Sequence, residues 1–179
     1  ADNLAVLGVA ASARADGPAR SATSTVEHPA VHDAVASLGE RALWLGVDAE
    51  GVVTADALAG LSPGVALVSV MAVNNETGTV QPLDAVVDAV RRVGAVAHSD
   101  GVQALGHVPL DFAASGLDLL SLSAHKLGGP VGVGALIVRR GVRLAPTGFG
   151  GGQEARLRSG TVPVALAAGF AAAAAQAVA

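Results

Sequence analysis

The sequence predicts an α/β fold, a three-layer α/β/α sandwich on a mainly parallel sheet. Three observations predict it. Strand-like and helix-like segments alternate along the chain, which places helices on both faces of one sheet. The run from Val65 to Val73 is almost wholly apolar and rich in Val, as a strand buried on both faces must be. Apolar residues fill 51% of the 179 positions but aromatics only 2%, so the core has to be built from many small aliphatic contacts. The length suits one domain with a sizeable core, and no internal repeat or second domain is evident.

The elements follow in order. Asp2 to Ala13 reads as a helix with no visible cap, followed by a loop around Asp16-Gly17-Pro18. Ala22 to Val26 reads as a short strand, and Pro29 suits the first position of a helix running to Leu38 and stopping at Gly39. Ala42 to Val47 is strand-like, and Thr54 caps a short helix ending near Gly60. After the Val65–Val73 strand, Leu83, Val86, Val87, Val90 and Val93 recur at helical spacing, with Gly94 just past the end. Further strands are predicted at Ala95 to Ser99, Leu117 to Ser123 and Val133 to Arg139. The glycines 148 and 150 to 152 mark a loop, and an Ala-rich core helix follows Pro163.

Composition excludes several functions. Formal net charge is −4, with scattered basic residues and no aromatic stripe between them, which argues against nucleic acid as a partner. With no Cys there is neither a disulfide nor a Cys-ligated metal. The first 13 residues carry no Lys or Arg, so no secretory leader is read, and a cytoplasmic setting is expected. The apolar stretch from Pro163 is short for a bilayer, so no membrane partner is expected. His28 and His32 stand four apart on a predicted helix, a spacing that can hold zinc, but no third ligand accompanies them and no metal is assigned. Neither a P-loop nor a GxSxG elbow is present.

What remains is chemistry at strand ends. Asn74-Asn75-Glu76-Thr77, Ser99-Asp100-Gly101-Val102-Gln103 and Ser123-Ala124-His125-Lys126 each follow an apolar strand, at the edge where open α/β sheets bind ligands. Lys126 is the sole lysine; the ten other basic residues are all Arg. Arginine cannot form an imine and lysine can, so one lysine kept beside a histidine and before a Gly-Gly-Pro turn points to covalent chemistry. Asp100, one strand earlier, is placed to pair with a pyridine nitrogen, keeping it protonated, although an Asp there also suits a helix cap. Ser123 and His125 are candidate phosphate donors.

These residues resemble the cysteine desulfurases, the NifS- and IscS-like branch of the class V aminotransferases, which are fold type I enzymes dependent on pyridoxal phosphate (PLP). The matching segments are Val26-Glu27-His28-Pro29-Ala30-Val31, Met71 to Gly78, His98 to Gln103, Ser121 to Lys126, Gly150 to Glu154 and Arg158-Ser159-Gly160-Thr161. Order and spacing agree across nearly the whole chain. The resemblance implies that Lys126 bonds covalently to PLP and later moves protons, and that Asp100 pairs with the pyridinium. It implies that Gln103 bonds the ring's phenolic oxygen and that His28 stacks on the ring as an acid–base group. Asn75 would lie beside cofactor and substrate carboxylate, Ser123 and His125 would hold the phosphate, and Thr161 would reach the partner subunit's phosphate in a homodimer.

The resemblance also departs and stops short. Where the family has Arg-Gly or Arg-Asp after Gly152-Gln153-Glu154, Ala155-Arg156 stands, and Arg156 is given no role. Residues 1–179 are expected to be the central part of an incomplete PLP-binding large domain. The family's N-terminal phosphate loop would precede them, and the small C-terminal domain with the catalytic cysteine and the carboxylate-gripping arginine would follow. The implied activity takes sulfur from L-cysteine, leaving alanine and a persulfide that a sulfur-acceptor protein collects for iron–sulfur clusters or thio-cofactors. A selenocysteine lyase, another aminotransferase, or a truncated chain without catalysis are the other readings. The chain alone, lacking any Cys, is expected to have no desulfurase activity.

Overall fold

Side chains alternate between the two faces of a strand, so a buried parallel sheet needs apolar helices on both sides. A computed structural model describes residues 1–13 and 19–178 and shows that arrangement. Six strands, β1 (Arg20–Ser24), β2 (Ala42–Leu45), β3 (Val65–Ser69), β4 (Val96–Asp100), β5 (Leu119–Ser123) and β6 (Gly134–Val138), form one sheet in the order β2-β1-β3-β4-β5-β6. The first five are parallel, and β6 closes the far edge antiparallel to β5. The order reverses between β1 and β3, and at such a switch point a crevice opens outside the carboxyl ends of the strands.

Helices α1 (Asp2–Ala13) and α2 (Pro29–Ala36) cover one face. Val6, Val9, Val31 and Val35 pack there against Leu67 and Leu119. On the other face α3 (Ala55–Ala59) and α4 (Leu83–Val93) bring Leu58, Val86, Val87 and Val90 against Val68 and Leu120. Neighbouring residues such as Leu67 and Val68 thus serve opposite cores, which is the sandwich the alternation predicts. Thr54 caps α3, its side chain accepting from Ala57 N, and Gly94 ends α4 in the left-handed conformation. A four-residue helix, α5 (Phe112–Ser115), is capped by Asp111 and was not legible in the sequence.

Several boundaries differ from the reading. The strand expected at Ala22–Val26 lies two residues earlier, because Ser21, Thr23 and Ser24 are fully buried despite their hydroxyls. Thr23 Oγ1 donates to Ser69 O at 2.9 Å, which satisfies it inside the sheet. The Val65–Val73 strand shortens to β3, although Val70 N and Ala72 N still donate to His98 O and Asp100 O on β4. The α2 helix ends at Ala36 rather than Leu38, and the Asp16-Gly17-Pro18 loop falls outside the described residues. The Ala-rich helix, α6 (Val164–Ala177), is present but is no core helix: only Phe170 is buried. It touches the rest along a narrow seam, with Gly169 close to Pro130, while Val164 stands 72% exposed. No helix among the described residues is long and apolar enough to cross a membrane.

His98 stitches the three central strands. Its Nδ1 lies 2.7 Å from Ser69 Oγ on β3 and its Nε2 3.0 Å from Ser121 Oγ on β5. The ring is entirely buried, and that desolvation lowers its pKa from 6.5 to about 4 despite the opposing pull of the Asp2 carboxylate. The folded state therefore keeps His98 neutral, and stability present above pH 6.5 is lost as pH falls toward 4. Replacing His98 by Gln should cost about 2 kcal/mol at neutral pH through the broken hydrogen bonds. It should also flatten the loss of stability over that acid window, both being measured by urea unfolding of the full-length protein across pH.

Candidate active site

The carboxyl ends of β1, β3, β4 and β5 surround a cavity of about 270 Å³. The turn after β1 contributes His28, the turn after β3 Met71 and Asn75, the turn after β4 Asp100 and Gln103, and the turn after β5 Ser123, His125 and Lys126. All the predicted site residues except Thr161 therefore line one space. Thr161 is exposed and lies away from it, beyond the glycine loop.

Each side chain is placed by a local device. His28 is the N-cap of α2: its Nδ1 accepts from Ala30 N at 3.1 Å, and Pro29 fixes the first helical position. An accepting Nδ1 carries no proton, so the neutral ring bears its hydrogen on Nε2. His32 is directed elsewhere, its Nδ1 2.9 Å from Asp33 Oδ1 and its ring 4.7 Å from that of Trp44. Among the described residues no group of three potential ligands gathers around a metal site. Asn74, not Asn75, builds the turn after β3: its Oδ1 accepts from Glu76 N and Thr77 N, and its Nδ2 donates to Val26 O. Asn75 is left exposed at the cavity.

Asp100 ends β4 and is 6% exposed. Its Oδ1 accepts from Val102 N at 2.9 Å, so the local turn that the sequence also permitted is real and coexists with a place in the cavity wall. Gly101 allows the close fit behind it, since a Cβ there would meet Leu120 Cδ1 at 2.6 Å. Burial raises the Asp100 carboxyl from 3.8 to about 6, and the Asp2 carboxylate adds to the rise; the Val102 amide and His28 oppose it. Lys126 sits on a 3-10 turn, Ala124–Leu127, ended by Gly128 at φ +74. It is exposed and, among the described residues, makes no ion pair. Beside it Ser123 Oγ and His125 Nδ1 are 2.7 Å apart.

Sequence reasoning missed three polar groups. Asp2 lines the cavity, with Oδ1 buried and unpartnered 3.9 Å from His98 Nε2, too far for a hydrogen bond. Behind the wall lie the buried His98 and Glu27. Asp2 carries no signal beyond that of an acid in a first helical turn, and hydropathy marks buried His and Glu as surface residues.

The cavity, with an amine at its mouth and a buried acid at its other end on a switch-point sheet, defines a cofactor-binding α/β protein. The chain belongs to the class-V aminotransferase family, whose description matches residues 1–177 and whose members are PLP-dependent enzymes. It is 47% identical over 182 residues to an IscS-like cysteine desulfurase of Mycobacterium tuberculosis, matching 97% of this chain and 46% of that one. A cysteine desulfurase of Frankia sp. is likewise 47% identical, over 97% of this chain and 45% of its own length. A solved NifS-like protein superposes with a TM-score of 0.91 at 37% identity, covering 98% of this chain and 50% of the other. The structure described as SspA in complex with cysteine gives 0.88 at 33%, covering 97% and 52%. The chain thus spans about half the length of its relatives.

Replacing Asp2 by Asn removes the second cause of the raised Asp100 pKa. Asp100 should then titrate below about 6, toward the ordinary carboxylate range, as read by carbon-13 NMR of the side-chain carboxyls. An unchanged or higher value contradicts the coupling of the two acids.

Proposed function

We propose that this chain is the central, cofactor-holding part of the large domain of a PLP-dependent cysteine desulfurase that works in the cytoplasm as a homodimer. The observation that carries the reading is Lys126, the sole lysine, at the mouth of a cavity whose lining includes the buried carboxyl of Asp100 and no arginine.

The donor set fits the group. Asp100 faces no lysine or arginine in the cavity, so a protonated pyridine nitrogen would be the cation that lets it ionise. Toward the phosphate, Ser123 and His125 share one hydrogen bond, and whichever of them donates it, the other retains a hydrogen for an anion. The Gln103 amide can donate to the ring's phenolic oxygen, and Asn75 is free to meet a substrate carboxylate.

When bound, PLP supplies an electron sink for bonds at the α-carbon of an amino acid. Lys126 Nζ supplies the amine for covalent attachment and, once freed, a base that moves a proton within the cavity. His28 Nε2–H is the nearest acid on the opposite wall, its ring held by the Ala30 amide. Asp100 keeps a positive charge in place without itself moving, since β4 and the Val102 amide fix it. Cysteine as substrate, and delivery of its sulfur to an acceptor protein for iron–sulfur clusters or thio-cofactors, rest on the named relatives. The dimer is supported by apolar surface near the Thr161 segment: Phe149 is fully exposed and α6 buries only Phe170. Thr161, outside its own cavity, is then assigned to the partner's cofactor phosphate.

Borohydride reduction of the PLP-loaded full-length protein followed by peptide mapping should place the pyridoxyl group on Lys126. A label elsewhere overturns the assignment. Lys126→Arg should keep the charge and lower turnover of cysteine by roughly a thousandfold or more, since a guanidinium cannot form the bond.

The cross-dimer role of Thr161 is tested by mixing full-length subunits that carry Thr161→Ala with others that carry Lys126→Ala. Sharing predicts that each mixed dimer has one site with both lesions and one with neither, so activity returns toward half that of wild type. If Thr161→Ala weakens only the cofactor of its own subunit, the assignment is wrong.

A further inference from the structure

Glu27 is a buried ionisable group that the chemistry above does not use. It lies in the turn between β1 and α2, directly before His28, and is 8% exposed. Its Oε1 accepts from Ser24 Oγ at 2.6 Å and from Met71 N at 2.8 Å, while Oε2 is buried without a partner. The groups that face it are the acids Asp100 and Asp2, and no lysine or arginine among the described residues offsets them. Its neighbour His28 and its acceptor contact Met71 both line the cavity; Glu27 itself does not.

We propose that Glu27 is a positioning residue that acts as an uncharged carboxylic acid, clamping the His28 turn to the Met71–Asn75 turn and so fixing two walls of the cofactor cavity. The inference rests on the cofactor reading given above. One rung of the clamp is the Glu27 carboxyl, and a second lies beside it, from Asn74 Nδ2 to Val26 O at 2.9 Å. A carboxylate in that place would be a buried charge facing two other acids, with one oxygen that nothing satisfies. The protonated form leaves only a neutral polar atom unsatisfied, which costs far less.

The pKa agrees with this geometry: burial raises it from 4.5 to about 8, against the lowering effect of the Ser24 and Met71 hydrogen bonds, with Asp100 and Asp2 adding to the rise. Because burial is the leading cause, filling the cavity does not release the proton: it excludes more water, and a ring cation paired with Asp100 adds little net charge. A group whose folded pKa is raised favours the fold most at low pH and loses that contribution as pH rises through the folded value. The clamp is therefore closed at neutral pH and opens through about pH 8.

The test uses the full-length protein loaded with PLP. Visible circular dichroism of the bound cofactor reports how its ring is held. Infrared spectroscopy reports the protonated carboxyl directly. In the wild type the dichroic band should hold through neutral pH and fall by half or more as pH rises through about 8. Glu27→Gln, an amide of the same shape that cannot ionise, should keep the band across that window. Glu27→Ala should lose most of it at every pH while Lys126 still carries the cofactor.

A Glu27→Gln protein that follows the wild-type fall, or that fails to fold, overturns the proposal, as does a Glu27→Ala protein with a wild-type band. The infrared arm stands without any variant: the wild type should show a protonated-carboxyl band at pH 7 that vanishes above about pH 8, and its absence at pH 7 overturns the proposal. A wild type that binds no PLP defeats the cofactor reading instead, and the infrared arm still decides the state of Glu27.

Discussion

Everything at the carboxyl edge of this sheet depends on one neutral, fully buried imidazole. His98 takes one hydroxyl from β3 and one from β5 while sitting on β4, so the three strands whose ends carry Met71, Asp100 and Ser123 are tied by side chains as well as by their backbone ladders. Water is excluded there, and polar groups left unpaired in such surroundings are expensive. The exclusion that drives His98 to neutrality also raises Asp100 and Glu27. A set of acids with neither lysine nor arginine to answer them has two ways to lower its energy: it can keep protons or admit a cation. Glu27, which stands behind the wall, keeps its proton, and Asp100, which faces the cavity, is placed to receive a cation.

The legibility of the sequence follows the same physics. Helix α4 was readable to the residue, because Leu83 to Val93 repeats at helical spacing and Gly94 offers the left-handed stop. The strand β1 was misplaced by two residues because hydropathy treats Ser21, Thr23 and Ser24 as surface, whereas the sheet interior accepts a hydroxyl that finds a carbonyl. The burial of α6 was overstated for the opposite reason. Alanine is apolar enough to read as core, yet a run of small side chains touches its neighbours only along a narrow strip.

At the site, Lys126, Asp100, Gln103 and Asn75 were visible because they follow apolar strands, and topology brings such positions together whatever the loops do. Glu27, His98 and Asp2 were not visible as a group. Their coupling depends on burial and on contacts between distant elements, such as Glu27 with Met71 and His98 with Ser69. Thr161 was visible only through resemblance, and nothing in its own surroundings within one chain connects it to the cavity.

The two ends of the cavity are built to different tolerances, and the chemistry asked of them accounts for the difference. Asp100 is the last residue of a central strand, buried, bonded by the Val102 amide and backed by a glycine that leaves Leu120 no slack. A carboxylate that must hold one charge in one place gains from such rigidity, because no reorganisation is needed when charge develops nearby. Lys126 stands on a short, exposed turn ended by a left-handed glycine. An amine that must bond, release and then carry a proton needs freedom of rotation and access to water, and a strand end packed like that of Asp100 would deny both. Had the lysine been buried as deeply, desolvation would favour its neutral form but leave it little room to move. With Asp100 fixed and Lys126 exposed, the sheet anchors the charge at one end of the cavity and leaves the nucleophile mobile at the other.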